Sequence, residues 1–198
     1  MKNRNNILLS AIVGLIVGIL TVLGQGVLPG NWNSLANSGT VWLLPAFFMG
    51  ALSSTKGKSA ISAIITLLGM VTGYYAYAML IQNVSHSLYY ILVWTVAAVI
   101  GGSIFGIAGY LWGKDRGPLH KYGSALIGGV FITEGLHLFL NLSDYIHMWH
   151  TGVVQIIVGV SLVLALERSN KERIASLLAL IPIIVLGVIG YAILSLFA

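Results

Sequence analysis

The sequence predicts an all-α fold, a polytopic bundle of seven transmembrane helices, from three observations. The chain of 198 residues is 58% hydrophobic and only 8% charged, whereas a soluble domain carries about 25% charged residues. Its apolar stretches run without alternation over lengths near the roughly 20 residues that a bilayer-spanning helix needs, which excludes a β-barrel. Its ten Lys and Arg residues all fall in alternate gaps between these stretches. Lys2 and Arg4 precede the first stretch, and Lys56 and Lys58 lie between the second and third. Lys114, Arg116 and Lys121 lie between the fourth and fifth, and Arg168, Lys171 and Arg173 between the sixth and seventh. Basic residues in short loops stay on the cytoplasmic side. The N-terminus is therefore expected in the cytoplasm and the C-terminus outside. Seven spans use about 140 residues, so residues 1–198 are expected to form a single transmembrane domain.

The elements follow in order, with ends set to within a few residues. The first helix covers about 7–28; the start resembles a signal sequence, but its apolar run is long and no small-x-small cleavage site follows, so a retained helix is expected. The second, about 36–54, follows the polar run Asn31 to Gly39 and contains Pro45, which removes a backbone donor and favours a kink. A re-entrant loop is the alternative. It would put Lys56 and Lys58 outside and break the charge alternation, so a kinked full span is expected. The remaining helices cover about 59–82, 87–113, 122–141, 148–166 and 174–197.

The 24 glycines are placed informatively. Gly102, Gly106, Gly109 and Gly113 share one helix face, and Gly14 with Gly18 and Gly69 with Gly73 are four apart. Small residues let helices approach closely in lipid. Tight packing within one bundle is the expected role. A sliding surface or a seam for a homo-oligomer or another membrane-protein partner are the alternatives.

Candidate chemistry concentrates in the half predicted to face outward. Glu134 lies near the middle of the fifth helix, where a charge costs about 2.5–3.5 kcal/mol on insertion scales and usually marks a functional path or wet cavity. His137 and Asn141 follow on the same face at helical spacing. The structural alternative is a protonated Glu134 bonded to a neighbouring helix or to His137. Asp144, His147 and His150 follow in and beyond the next loop. They are candidate ligands for a divalent metal, the only cofactor these residues suggest, although this spacing fans around a helix rather than converging. Tyr74, Tyr77 and Trp94, with Tyr75, Tyr89 and Tyr90, populate the outer halves of the third and fourth helices. Aromatic belts at the interface explain part of this, but Tyr74 to Tyr77 run deeper. With Gln25, Asn33 and Gln82 they would line an outward-facing polar and aromatic cavity.

Other activities lack their residues. With no cysteine there is no disulfide, thiolate nucleophile or Cys-bound metal. Walker, His-Glu-x-x-His and Gly-x-Ser-x-Gly motifs are missing, and the seventh helix has no lysine for a Schiff base. A non-enzyme is favoured. The net charge of +5 reflects orientation signals facing anionic lipid rather than a nucleic-acid partner. Asn83-Val84-Ser85 and Asn141-Leu142-Ser143 match glycosylation acceptors. Glu167, Arg168, Lys171, Glu172 and Arg173 read as a solvated connection with a Glu167–Lys171 pair.

Leu35-Ala36-Asn37-Ser38-Gly39 with Trp42, Gly73-Tyr74-Tyr75, and Gly129 to Glu134-Gly135 give the whole chain its family likeness. It resembles an uncharacterised family of small bacterial multi-pass membrane proteins. The resemblance implies a bacterial plasma membrane and no assigned activity. The residues by themselves favour binding or transport of a small solute through the outward cavity. A membrane-embedded metal-binding protein or metal-dependent enzyme, and a structural partner of another membrane protein, are the alternatives.

Overall fold

The computed structural model describes residues 2–115 and 117–194. Arg116 and residues 195–197 of the last predicted helix lie outside them. Among the described residues all regular secondary structure is helical. Seven helices dominate: α1 (Lys2–Val27), α2 (Gly39–Ala51), α3 (Lys56–Leu80), α4 (Leu88–Lys114), α5 (His120–Leu140), α6 (Trp149–Leu166) and α7 (Asn170–Leu194). All except α2 are long and apolar enough to cross a membrane. Short helical turns fill Gly30–Trp32, Asn33–Ala36, Leu142–Tyr145 and Ile146–Met148.

The expected second span, 36–54, is shorter than its sequence suggests. Ser38 caps α2 by accepting from the Val41 amide, and Thr55 caps α3 by accepting from the Lys58 amide. The helix keeps 13 residues with Pro45 inside it. At 1.5 Å per residue it rises about 20 Å, less than the roughly 30 Å hydrocarbon core. At the other end of the sequence, α7 starts earlier than expected. Ser169 accepts from the Glu172 amide while the Glu172 carboxylate accepts from the Ser169 amide, a reciprocal capping box.

The chain divides into two compact units, Met1–Lys114 and Asp115–Ala198. In the first, glycines set the approach of the helices. A Cβ on Gly14 would strike the Thr66 carbonyl oxygen, one on Gly18 that of Met70, and one on Gly73 that of Leu15. These matches rise together along both helices, so α1 and α3 run parallel. Gly102 meets Ile64 and Gly106 meets Ser59, an antiparallel register for α3 and α4. Gly109 meets Phe47 and Gly113 meets Ala51, so α2 runs parallel to α4. Because α1 and α3 are parallel, residues 28–55 must return the chain from one end of the unit to the other. The glycine faces are thus spent on contacts inside the unit. Lys56, Lys58, Lys114 and the N-terminus of α1 collect at one end.

In the second unit, Gly128 meets Gly159 and Gly135 meets Gly152, making α5 and α6 antiparallel. Gly129 meets Ile183 and Gly187 meets Thr133, making α5 and α7 parallel. A core of Ala125, Ile132, Val163, Ala179 and Leu180 fills the middle. Lys121, Arg168, Lys171 and Arg173 again gather at one end, and His137, Asn141 and Asp144 lie at the other.

Candidate functional site

In the first unit, the end opposite the lysines holds an aromatic cavity of about 110 Å³. Asn37, Gly39 and Trp42 come from the start of α2, Tyr74 and Tyr75 from α3, and Tyr90 and Trp94 from α4. His86 completes the lining from the loop between α3 and α4. That loop folds back because Asn83 takes a left-handed conformation (φ 57°) and the Val84 amide reaches the Ala78 carbonyl at 3.0 Å. Asn tolerates this backbone better than most residues, and the pattern is a common helix stop. It delivers the His86 ring to Tyr75, with centroids 5.0 Å apart, and to Tyr74, at 6.0 Å. Trp42 packs against Tyr74 at 5.9 Å and Trp94 at 6.4 Å.

One polar atom in this wall is out of balance. The Trp42 Nε1 is buried and has no hydrogen-bond partner among the described residues. An indole N–H donates only, and leaving one buried and unpaired costs about 1–3 kcal/mol.

Of the predicted aromatic residues, Tyr74, Tyr75, Tyr90 and Trp94 line the cavity. Tyr77, Gln25, Asn33 and Gln82 are not among its lining residues. Trp42, which packs on rings from two other helices, and His86, in the loop before α4, were not among the residues expected to line it. The run Ser38 to Trp42 at the head of α2 was the available signal.

Glu134, His137 and Asn141 lie in the second unit and form a group of their own. The Tyr191 phenol of α7 hydrogen-bonds Glu134, and the Tyr191 ring stacks on His137 with centroids 5.0 Å apart at 23°. The Asn141 amide nitrogen lies 3.2 Å from Nδ1 of His137 and donates to the His137 carbonyl at 3.0 Å. Sequence spacing put the three on one face; Tyr191, far along the chain, is the partner it could not supply.

The whole-chain comparison agrees with the family likeness seen in the residues. A profile described as a family of unknown function, DUF6518, matches residues 1–197. The chain belongs to this family. No curated protein and no solved structure matches it.

For this DUF6518 chain, the loop after α5 does not assemble the expected donor set. Asp144 accepts from the Ser143 hydroxyl at 3.2 Å, and the His150 ring lies 3.6 Å from that of Trp149. Among the described residues no three His, Asp or Glu side chains are grouped as a metal would require.

The other end of the second unit holds a cluster the sequence does not reveal. Glu167 is 2% exposed and is not a solvated partner for Lys171. Its Oε1 accepts from the Ser124 and Ser176 hydroxyls, the latter at 2.9 Å, and its Oε2 lies 2.9 Å from Nε2 of His120. The His120 Nδ1 lies 3.0 Å from the Asp115 carbonyl oxygen. A carbonyl has no proton to give, so Nδ1 carries one. An ionised Glu167 then requires His120 to be doubly protonated. This cluster joins the ends of α5, α6 and α7. The i, i+4 spacing of Glu167 and Lys171 suggested a surface pair because it ignores the turn at Glu167, whose ψ of 139° ends α6.

Proposed function

We propose that this protein is a seven-span membrane protein of the bacterial plasma membrane that binds a small solute in the aromatic cavity of its first unit. The carrying observation is the hollow of about 110 Å³ walled by the rings of Trp42, Tyr74, Tyr75, Tyr90 and Trp94, with Asn37 and His86 as its polar groups. Aromatic faces with a few convergent polar groups are the usual form of a small-molecule site. The proposed topology draws support from the alternating helix directions within each unit and from the basic residues gathered at one end of each. On the positive-inside rule those ends are cytoplasmic and the cavity opens outward. Transport of the solute would add a second step, in which Glu134 and His137 are the candidate proton-linked groups.

Benzamide is a suitable first probe, being planar and uncharged with a carbonyl acceptor. The expected result is a saturable change in tryptophan fluorescence of the purified protein, still reported by Trp94, that Trp42→Phe weakens by removing ring area from the cavity wall. Trp42→Phe removes an unpaired donor but also packing against Tyr74 and Trp94, so a modest fall in thermal stability is expected. Identical titrations of wild type and Trp42→Phe would sink the cavity as the binding site.

A further inference from the structure

The Glu167 cluster is complete at one proton count. The Ser124 and Ser176 hydroxyls both donate to Oε1 of Glu167, which fills that oxygen's two lone pairs. Oε2 lies 2.9 Å from Nε2 of His120, and the Asp115 carbonyl holds Nδ1 of the same ring as an N–H. One proton therefore lies between Nε2 and Oε2, whichever atom carries it. Remove it, and a nitrogen lone pair faces a carboxylate oxygen, with the buried Glu167 charge no longer balanced by contact. An uncompensated buried charge is among the costliest groups in a protein. A proton added instead still leaves a donor between the two atoms, so the alkaline side is the damaging one.

Water reaches the shared proton through His120. The Glu167 side chain is fully enclosed, whereas that of His120 is 13% exposed and lines an open hollow of about 320 Å³ between the starts of α5 and α7. The charged groups around that hollow are Lys121 on α5 and Lys171 and Glu172 on α7. The two ammonium groups favour loss of the proton. Glu172, which interacts electrostatically with His120, favours its retention, as Glu167 does from the end of α6. The Asp115 carboxylate is engaged elsewhere, accepting from the Gly117 amide at 2.6 Å. We propose that His120 and Glu167 form a proton-operated latch on the basic ends of α5, α6 and α7. It is closed while the two share a proton and opens when rising pH on that face removes it. The step belongs to the pair rather than to either residue.

The chain has no cysteine, so nitroxide labels on Leu119→Cys and Ile174→Cys, both exposed positions, report the separation of the α5 and α7 starts without background. The test uses the full chain in phosphatidylcholine nanodiscs. The expected result is one narrow distance at about pH 6 and a second, longer distance that grows as the pH is raised to about 9, while helix content by circular dichroism stays constant. Glu167→Gln should abolish the longer distance, because its amide gives an N–H to a neutral His120 and an oxygen to the two serines. His120→Gln should abolish it too, since its amide donor does not titrate, and it serves alone if Glu167→Gln does not fold. A wild-type distance independent of pH, a longer distance that persists in either folded variant, or one that appears only as helix content falls overturns the latch.

Discussion

The two units of this chain are both built from helices joined at glycine seams, yet their chemistry is opposite. The first, through Lys114, contains none of the five acidic residues; the second contains all of them. The first has an aromatic cavity with an unpaired donor in its wall. In the second, the two carboxylates Glu134 and Glu167 are each tied to side chains from another helix. The difference separates a site from a fastening. A hollow walled by aromatic rings is open to a ligand. A buried carboxylate with three donors is already occupied, and what it fixes is the relation between three helix ends.

The largest expected effect breaks that fastening. Glu167→Ala leaves His120, Ser124 and Ser176 facing an empty, buried acceptor position. Each buried group left without its hydrogen-bond partner costs about 1–3 kcal/mol, so the thermal unfolding midpoint in detergent should drop sharply. Glu167→Gln keeps one acceptor oxygen and should cost less. If Glu167→Ala unfolds like wild type, the cluster does not hold the second unit together.

A smaller effect sharpens the contrast between seams and open faces. Gly109→Val drives a side chain into the Phe47 backbone, and overpacking of this kind costs about 1–3 kcal/mol. A Cβ on Gly190 of α7 would meet nothing within 4 Å among the described residues. There, Gly190→Ala should gain up to about 1 kcal/mol from helix propensity alone. Opposite signs in paired melting curves are expected; a shared sign would contradict the proposed seam.

The smallest effect concerns Tyr191. Tyr191→Phe removes one hydrogen bond to Glu134, about 0.5–1.5 kcal/mol, while preserving the stack on His137. If Glu134 acts in solute movement rather than packing, the variant should change the pH dependence of uptake more than it changes stability. An unchanged pH profile in both Tyr191→Phe and Glu134→Gln would leave these residues a structural role only.

Much of the fold was legible along the chain. Continuous apolar runs mark helices because backbone groups in lipid must pair within their own segment. The expected and observed helices differ mostly at their ends, where caps decide: Ser38 and Thr55 bracket α2, and the Ser169–Glu172 box moves the start of α7 to Asn170. The glycine spacings correctly announced close packing, since each marks a face that another backbone approaches. The candidate sites were legible only in part. Tyr74 and Trp94 stood out by type and depth, but nothing local shows that Trp42 joins them or that its N–H lacks a partner. Glu167 looked solvated because its neighbours in sequence are charged, whereas its neighbours in space are His120, Ser124 and Ser176.

The sequence by itself determined the helical class, the family, the lengths of most spans and the separation of basic residues into alternate connections. These depend on composition and spacing along one dimension. Only the tertiary structure decided which helices run side by side, that the short α2 brings Trp42 to Tyr74 and Trp94, and that Glu167 is buried rather than exposed. Those outcomes depend on how each helix is rotated about its axis and where its register falls against a neighbour. Hydropathy is nearly uniform around these helices, so it carries little information about rotation; glycine seams and buried hydrogen bonds set it instead.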